Sequence, residues 1–339
     1  GCLLGKMIIL EQANHIVEST LKERFALAKE GKPTPIEMTC ADFDGVIFHL
    51  WSPVEDKTTL NLSLQTSSFA TISKYGLQAR LQQIYGPHLV ATPENGFNVT
   101  LTVNTGNLPA NSDELAQRFA LLKRHVYAQP FEYVFAQIDA GKAVTETLDI
   151  PYRGDERTFI TSQGKDRVTV VYSINFKDKD DIILGKVFLS EFKKSVGGAP
   201  SVDFSQTTPP GEIASVKNLG KPDGFITQVL FDRHFKKESR AKTIDMAIIF
   251  RNYLMYHIKC SKSHLNTRMR LRVESLLKVL NRAKQELPKE KKTASGRTFA
   301  RAPVGKKKRP TSTLSILVVQ CNTTFQVKMH LHVLRLAPP

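Results

Sequence analysis

From Thr243 to Leu287 the apolar residues Phe250, Leu254, Ile258, Leu265, Met269, Val273, Leu276, Leu280, Ala283 and Leu287 recur at intervals of three, four or seven, with no proline or glycine among them. That spacing predicts one helix carrying an apolar stripe. A helix of about 45 residues reaches roughly 68 Å at 1.5 Å per residue, too long for one compact domain to bury. At about 100° per residue the stripe from 265 to 287 stays within roughly 40° of Met269, while Arg268, Arg270, Lys278 and Arg282 project elsewhere. One face therefore requires an apolar partner and another offers positive charge.

The remaining pattern predicts a repeated α+β unit. Ala13, Val17, Leu21 and Phe25 predict a helix from about Leu10 to Glu30, stopped by Gly31 and Pro33. The runs IEMTCADFDGVIFHLW and KTTLNLSLQT read as strands, with turns at Asp44-Gly45 and at Ser52 to Asp56. Gly76 opens an amphipathic segment, Pro93 to Gly96 turn into the strand FNVTLTV, and a helix runs from about Ser112 to Ile138 with a kink expected at Pro130. From about Ala143 the order recurs: DKTTLNLSL at Asp56 answers DRVTVVYSI at Asp166, GLQARLQQIYG at Gly76 answers GKVFLSEFKKS at Gly185, and GFNVTLTV at Gly96 answers GFITQVLF at Gly224. The stretch from Gly197 to Gly220 is extra in the second copy and reads as a loop insertion. The fold class expected is α+β: two tandem similar α/β modules, each a mostly antiparallel sheet with helices on one face, ending in a long C-terminal helix. The modules occupy 7–140 and 141–258, followed by a protruding helix over 259–287, a basic tail over 288–303 and a further tail over 304–339.

Charge sharpens the picture. The chain of 339 residues carries a net +16, yet residues 1–257 hold 29 basic and 29 acidic side chains, residues 258–303 hold 13 against 3, and residues 304–339 hold 6 against none. A neutral body bears a basic arm. Cys2, Cys40, Cys260 and Cys321 show no metal-ligand spacing and read as reduced thiols, so that the sequons at Asn98 and Asn322 stay unused. No apolar run reaches the roughly 18 residues needed to span a bilayer. No metal or cofactor is expected.

Asp42-Phe43-Asp44-Gly45-Val46 is the one string that suggests catalysis. D-x-D-G-[TV] opens the haloacid dehalogenase-like phosphatases, so the alternative function is a Mg-dependent phosphatase with Asp42 as nucleophile and Asp44 as general acid. That chemistry requires a parallel sheet with a helix returning after the motif, whereas two further strands follow here. The competing reading is a turn whose Asp and Gly supply the backbone angles. The basic arm could meet nucleic acid or an acidic protein, and between Ile258 and Ala300 Phe299 is the lone aromatic residue, which favours protein.

The run HIKCSKSHLNTRMRLRVESLLKVLNRAKQELPKEKKTASGRTF, from His257 to Phe299, resembles the C-terminal helix and tail of the subunit 2 family of the actin-related protein 2/3 complex, the 34-kDa subunit family. So do MIILEQANHIVESTL at Met7, ADFDGVIFHL at Ala41 and DRVTVVYSINFKDKDDIILGKVF at Asp166. The resemblance covers about Met7 to Pro303. It implies a structural subunit, not an enzyme, whose long helix pairs with the homologous helix of subunit 4. It also implies that the chain joins the actin-related subunits and contacts the mother filament during branched actin nucleation. On the matching helix, Lys278 and Arg282, with Arg268, Arg270 and Arg272 behind them, are the cations expected to face filament or partner. Phe250, Leu254, Ile258, Leu265, Met269, Val273, Leu276 and Leu280 are expected at the subunit 4 seam. The location implied is the cytoplasmic actin cytoskeleton, including cortical actin and cell projections. GCLLGK precedes Met7, which reads as the initiator, and Val304 to Pro339 match nothing in the family and are expected to be disordered or artefactual.

Overall fold

A computed structural model of the chain describes residues 11–142, 144–164, 166–176, 178–192, 200–217, 219–282, 290–292 and 298–300. It divides into two compact units, Gly1–Arg272 and Val273–Pro339.

The first unit begins with helix α1 (His15–Lys29), capped by Asn14, whose side chain accepts from the amides of Ile16 and Val17 at 3.1 Å each. Val17, Leu21 and Phe25, one per turn, are its buried face. Ala13 precedes the cap, so the helix begins at His15, about five residues later than the expected start near Leu10, because Asn14 takes its first free amides. Strands β1 (Glu37–Ala41), β2 (Ile47–Trp51), β3 (Thr59–Gln65) and β4 (Val99–Asn104) then form an antiparallel sheet in sequence order. Helices α2 (Phe69–Ser73) and α3 (Leu77–Tyr85) lie between β3 and β4. Gly76 caps α3 at φ 82°, a left-handed angle that a side chain would resist.

The helix expected over 112–138 is two, α4 (Ser112–Ala120) and α5 (Leu122–Asp139), and the break falls at Leu121 rather than at Pro130. Leu121 opens to ψ 6°, while Pro130 sits inside α5 between buried Gln129 and Phe131. Packing on both sides carries the helix through the proline, so tertiary burial outweighs the local cost.

The second copy holds β5 (Leu148–Arg153), β6 (Glu156–Gln163), β7 (Arg167–Ile174), α6 (Lys179–Phe192), β8 (Ser201–Ser205), β9 (Gly224–Phe231), α7 (Asp232–Phe235) and α8 (Lys237–Arg282). Its sheet order, β5-β6-β7-β9-β8, repeats the first and adds β8 at the far edge. The insertion read as a loop thus supplies a strand, paired with β9 from Ser201↔Val229 to Ser205↔Phe225. Helix α6 starts six residues before Gly185, so that glycine is interior and does not repeat the capping role of Gly76. A Cβ on Gly185 would stand 3.1 Å from the Phe176 ring and 3.3 Å from Ile258, so any side chain there requires those neighbours to give by a few tenths of an ångström.

The two copies share one core. Buried side chains run without interruption from Val17, Leu62 and Phe119 through Phe135 and Val170 to Ile244, Leu254 and Ile258. Phe135 of α5 stacks on Phe235 of α7 with ring centroids 5.2 Å apart. A smaller cluster of Phe159, Val171, Ile213 and Phe225 forms separately beside the second sheet. In the second unit the end of α8, from Val273 to Arg282, precedes a short antiparallel pair, β10 (Glu290–Lys292) with β11 (Thr298–Ala300).

Candidate interaction surface

The first turns of α8 belong to the core. Ile244, Ala247, Phe250, Leu254 and Ile258 are buried, and the Tyr172 hydroxyl donates to the Ala247 carbonyl at 2.8 Å. Phe250, Leu254 and Ile258, expected at a partner seam, are therefore taken up by this chain's own sheet and helices. Periodicity could not separate the two roles, because Leu254, Ile258 and Leu265 stand within about 40° of one another around the helix. Where α8 leaves the core it is fixed by charge. Lys259 pairs with buried Asp181, and Lys262 reaches Asp178 at 2.6 Å and Asp181 at 3.2 Å.

Beyond these pairs the burial ends. Within the first unit Leu265 and Met269 are exposed, Met269 by 64% of its surface, and so are Leu271, Arg268, Arg270 and Arg272. Helical geometry puts Arg272 about 20° from Leu265, on the stripe and not opposite it. Within the second unit Val273, Leu276, Leu277, Val279 and Leu280 are exposed, Leu276 by 59% and Leu280 by 52%. From Val279 through Leu276 to Leu277 these residues occupy an arc of about 160°, wider than the seam of a two-helix pair. Lys278, Glu274 and Arg282 occupy the remaining face, with Lys278 bonded to Glu274 at 3.1 Å across one turn. Leu271, Leu277 and Val279 fell outside the expected stripe because its period selects one row of side chains, whereas exposure registers every uncovered one. Ala283 and Leu287 lie outside the described residues, as do Met7, Cys2, Cys321 and the tail over 304–339.

The phosphatase alternative fails on geometry. Asp42 to Val46 form the hairpin turn between β1 and β2, closed by Asp42 N to Val46 O at 2.8 Å, with Gly45 at φ 75°. The sheet is antiparallel, and β2 and β3 follow the motif directly where a helix would be required. Both carboxylates are held by the ammonium of Lys123, Asp42 at 2.6 Å and Asp44 closer still, and Asp44 also accepts from the hydroxyl of Tyr152. Burial by itself would raise the Asp44 carboxyl, but Lys123, Tyr152 and Asn252 outweigh it and hold the acid below its ordinary range. An acid so tied is neither a free nucleophile nor a proton donor. It joins the first sheet, α5, β5 and α8 in one buried polar junction. Among the described residues no cluster of histidine, cysteine and acidic side chains has the make-up of a metal site, and no helix is long and apolar enough to cross a membrane.

Exposed apolar surface on a helix, with no metal-type cluster among the described residues, is the mark of a chain joined by others, a subunit of an assembly. Comparison with known proteins names its relatives. The family model of the Arp2/3 complex 34 kD subunit, p34-Arc, matches residues 62–287. The chain is 41% identical over 300 residues to actin-related protein 2/3 complex subunit 2 of Dictyostelium discoideum, covering 86% of this chain and 99% of the relative. It is 39% identical over 323 residues to the protein of that name in Schizosaccharomyces pombe, covering 87% and 100%. The chain belongs to this family of Arp2/3 complex subunits. The family is one of structural subunits, and the chain is not an enzyme.

Proposed function

We propose that the chain is a structural, actin-filament-binding subunit of the Arp2/3 complex, acting in branched actin nucleation in the cytoplasmic cytoskeleton, including cell projections. In this reading the stripe of α8 pairs with the homologous helix of subunit 4 to form a core heterodimer, and the cationic face around Lys278 and Arg282 meets the mother filament. One observation carries it: the helix face that packs Leu254 and Ile258 into the core continues as Leu265 and Met269, fully formed and uncovered. A helix face with that composition is stable in water only when something apolar covers it. Five exposed cations, Arg268, Arg270, Arg272, Lys278 and Arg282, suit an acidic filament.

The test is co-expression with subunit 4. Leu276→Asp with Leu280→Asp places two charges in the stripe without touching the core. The heterodimer should be lost while the variant chain keeps its far-UV circular dichroism. Recovery of a heterodimer of normal stoichiometry would refute the pairing.

A further inference from the structure

The outer face of the first sheet carries a device that no part of the interaction surface uses. His49, in the middle of β2, has both ring nitrogens occupied by carboxylates: Nδ1 lies 2.8 Å from Glu94 and Nε2 lies 2.8 Å from Glu37. The second oxygen of Glu94 accepts from the indole of Trp51 at 2.9 Å. The imidazole is stacked between Trp51 and Phe97, with centroids at 6.1 and 5.5 Å. Thr39 on β1 and Ser63 on β3 flank it in register, so Glu37 from β1 and Glu94 from the 86–98 connection are the charged groups that face it.

That connection runs from α3 to β4 and folds back over the sheet. Its ends are tied by Val90 N to Thr100 O at 3.0 Å and Asn98 N to Leu64 O at 2.9 Å, and its tip by Glu94. Near it lie the buried hydroxyls of Ser63 and Thr100, 3.0 Å apart, and the Glu94 amide donates to Thr100 at 2.9 Å. The tip is thus held to the sheet by the Glu94 carboxylate on His49 and Trp51 and by the Glu94 amide on Thr100.

We propose that His49 is a proton-operated latch, which fixes the tip of the 86–98 connection to the outer sheet face when charged and loosens it when neutral. Two N–H donors facing two carboxylates exist only in the imidazolium form. On loss of a proton one ring nitrogen becomes a lone pair facing an anion. Glu37, 75% exposed, then turns to water, whereas Glu94, 22% exposed, is left half-buried without its counter-charge. Burial alone would lower the ring's affinity for the proton, but Glu37 and Glu94 outweigh it and the net displacement is upward. A raised folded value means that the latch is fully present below the ordinary histidine range and is lost as pH rises through the folded value.

The experiment is hydrogen–deuterium exchange on the full chain from below the ordinary histidine value of about 6.5 to well above it, with rates corrected for intrinsic pH dependence and referenced to β7. Protection of residues 89–98 should fall as pH rises, by about tenfold for each unit separating the latched from the released value. Glu37→Gln, at an exposed position that leaves the fold alone, should move the midpoint to lower pH. His49→Gln should abolish the pH dependence. Protection that is flat with pH in the unaltered chain, or a midpoint unmoved by Glu37→Gln, would overturn the latch.

Discussion

Replacing Lys123 by methionine tests the junction that turns a catalytic-looking string into a structural one. The side chain of Asp44 is 1% exposed and that of Lys123 12%, so the substitution strands a buried carboxylate. Breaking a buried pair from one side costs about 3–5 kcal/mol. Tyr152 and Asn252 still bond to Asp44, which places the loss near the lower end, about 3 kcal/mol. Asp44→Asn should cost less, about 2 kcal/mol, because Lys123 keeps the partly exposed Asp42. The double variant removes both charges and should cost less than the two losses together by at least about 1 kcal/mol, as expected of groups in direct contact. Urea unfolding of the purified chains supplies the four free energies. The sign with pH is also fixed: a carboxyl held below its ordinary value stabilises the fold at neutral pH, and the gain disappears as pH falls from about 4 through the folded value. Lys123→Met should flatten that acid limb. A loss under about 1 kcal/mol, or strict additivity in the cycle, would refute the junction.

Reversing Lys278 and Arg282 to Glu should weaken co-sedimentation with actin filaments at low salt while the complex still assembles; unchanged co-sedimentation counts against a filament-facing role. Gly185→Ala forces the Phe176 ring and Ile258 apart and should lower stability by about 1–3 kcal/mol in denaturant titration, as overpacked cores do. His125 is pushed down to about 4 by burial and by the guanidinium groups of Arg124, Arg80 and Arg118. It stays neutral in the fold yet charges on unfolding, so stability should fall by about 3 kcal/mol as pH drops from about 6.5 to 4. His125→Asn should remove that slope.

The sequence made the order of elements legible because each is announced by local chemistry: Gly31 as a helix stop, Gly76 as a helix start, Asp44-Gly45 as a turn, the tandem strings as paired strands. The sequence misled where distant packing decides. Pro130 kinks an isolated helix, but α5 is gripped on both sides of it, and the break fell at Leu121, a residue with no breaking tendency of its own. β8 was hidden because Ser201 to Ser205 gain their strand character from β9, about 25 residues further on. The Asp42 string looked catalytic because Lys123 and Tyr152, which satisfy it, lie 81 and 108 residues away. The exposed apolar face of α8 was legible as a stripe, but where own core ends and open surface begins depends on how far the sheet reaches.

The strand β8 and the segment at Leu89 and Val90 do the same task by different means. Each covers the outer margin of the last strand of its sheet, β8 by a full ladder on β9, Leu89 by a bridge to Leu101 and Val90 by one bond to Thr100. Bare margins of this kind recruit strands from neighbouring chains and lead to aggregation. Doubling a module doubles that hazard, and the two covers, unrelated in sequence, show each copy meeting it separately. With those two margins covered, recruitment through α8, as proposed, rests on side chains that choose the partner and not on backbone that any strand could match.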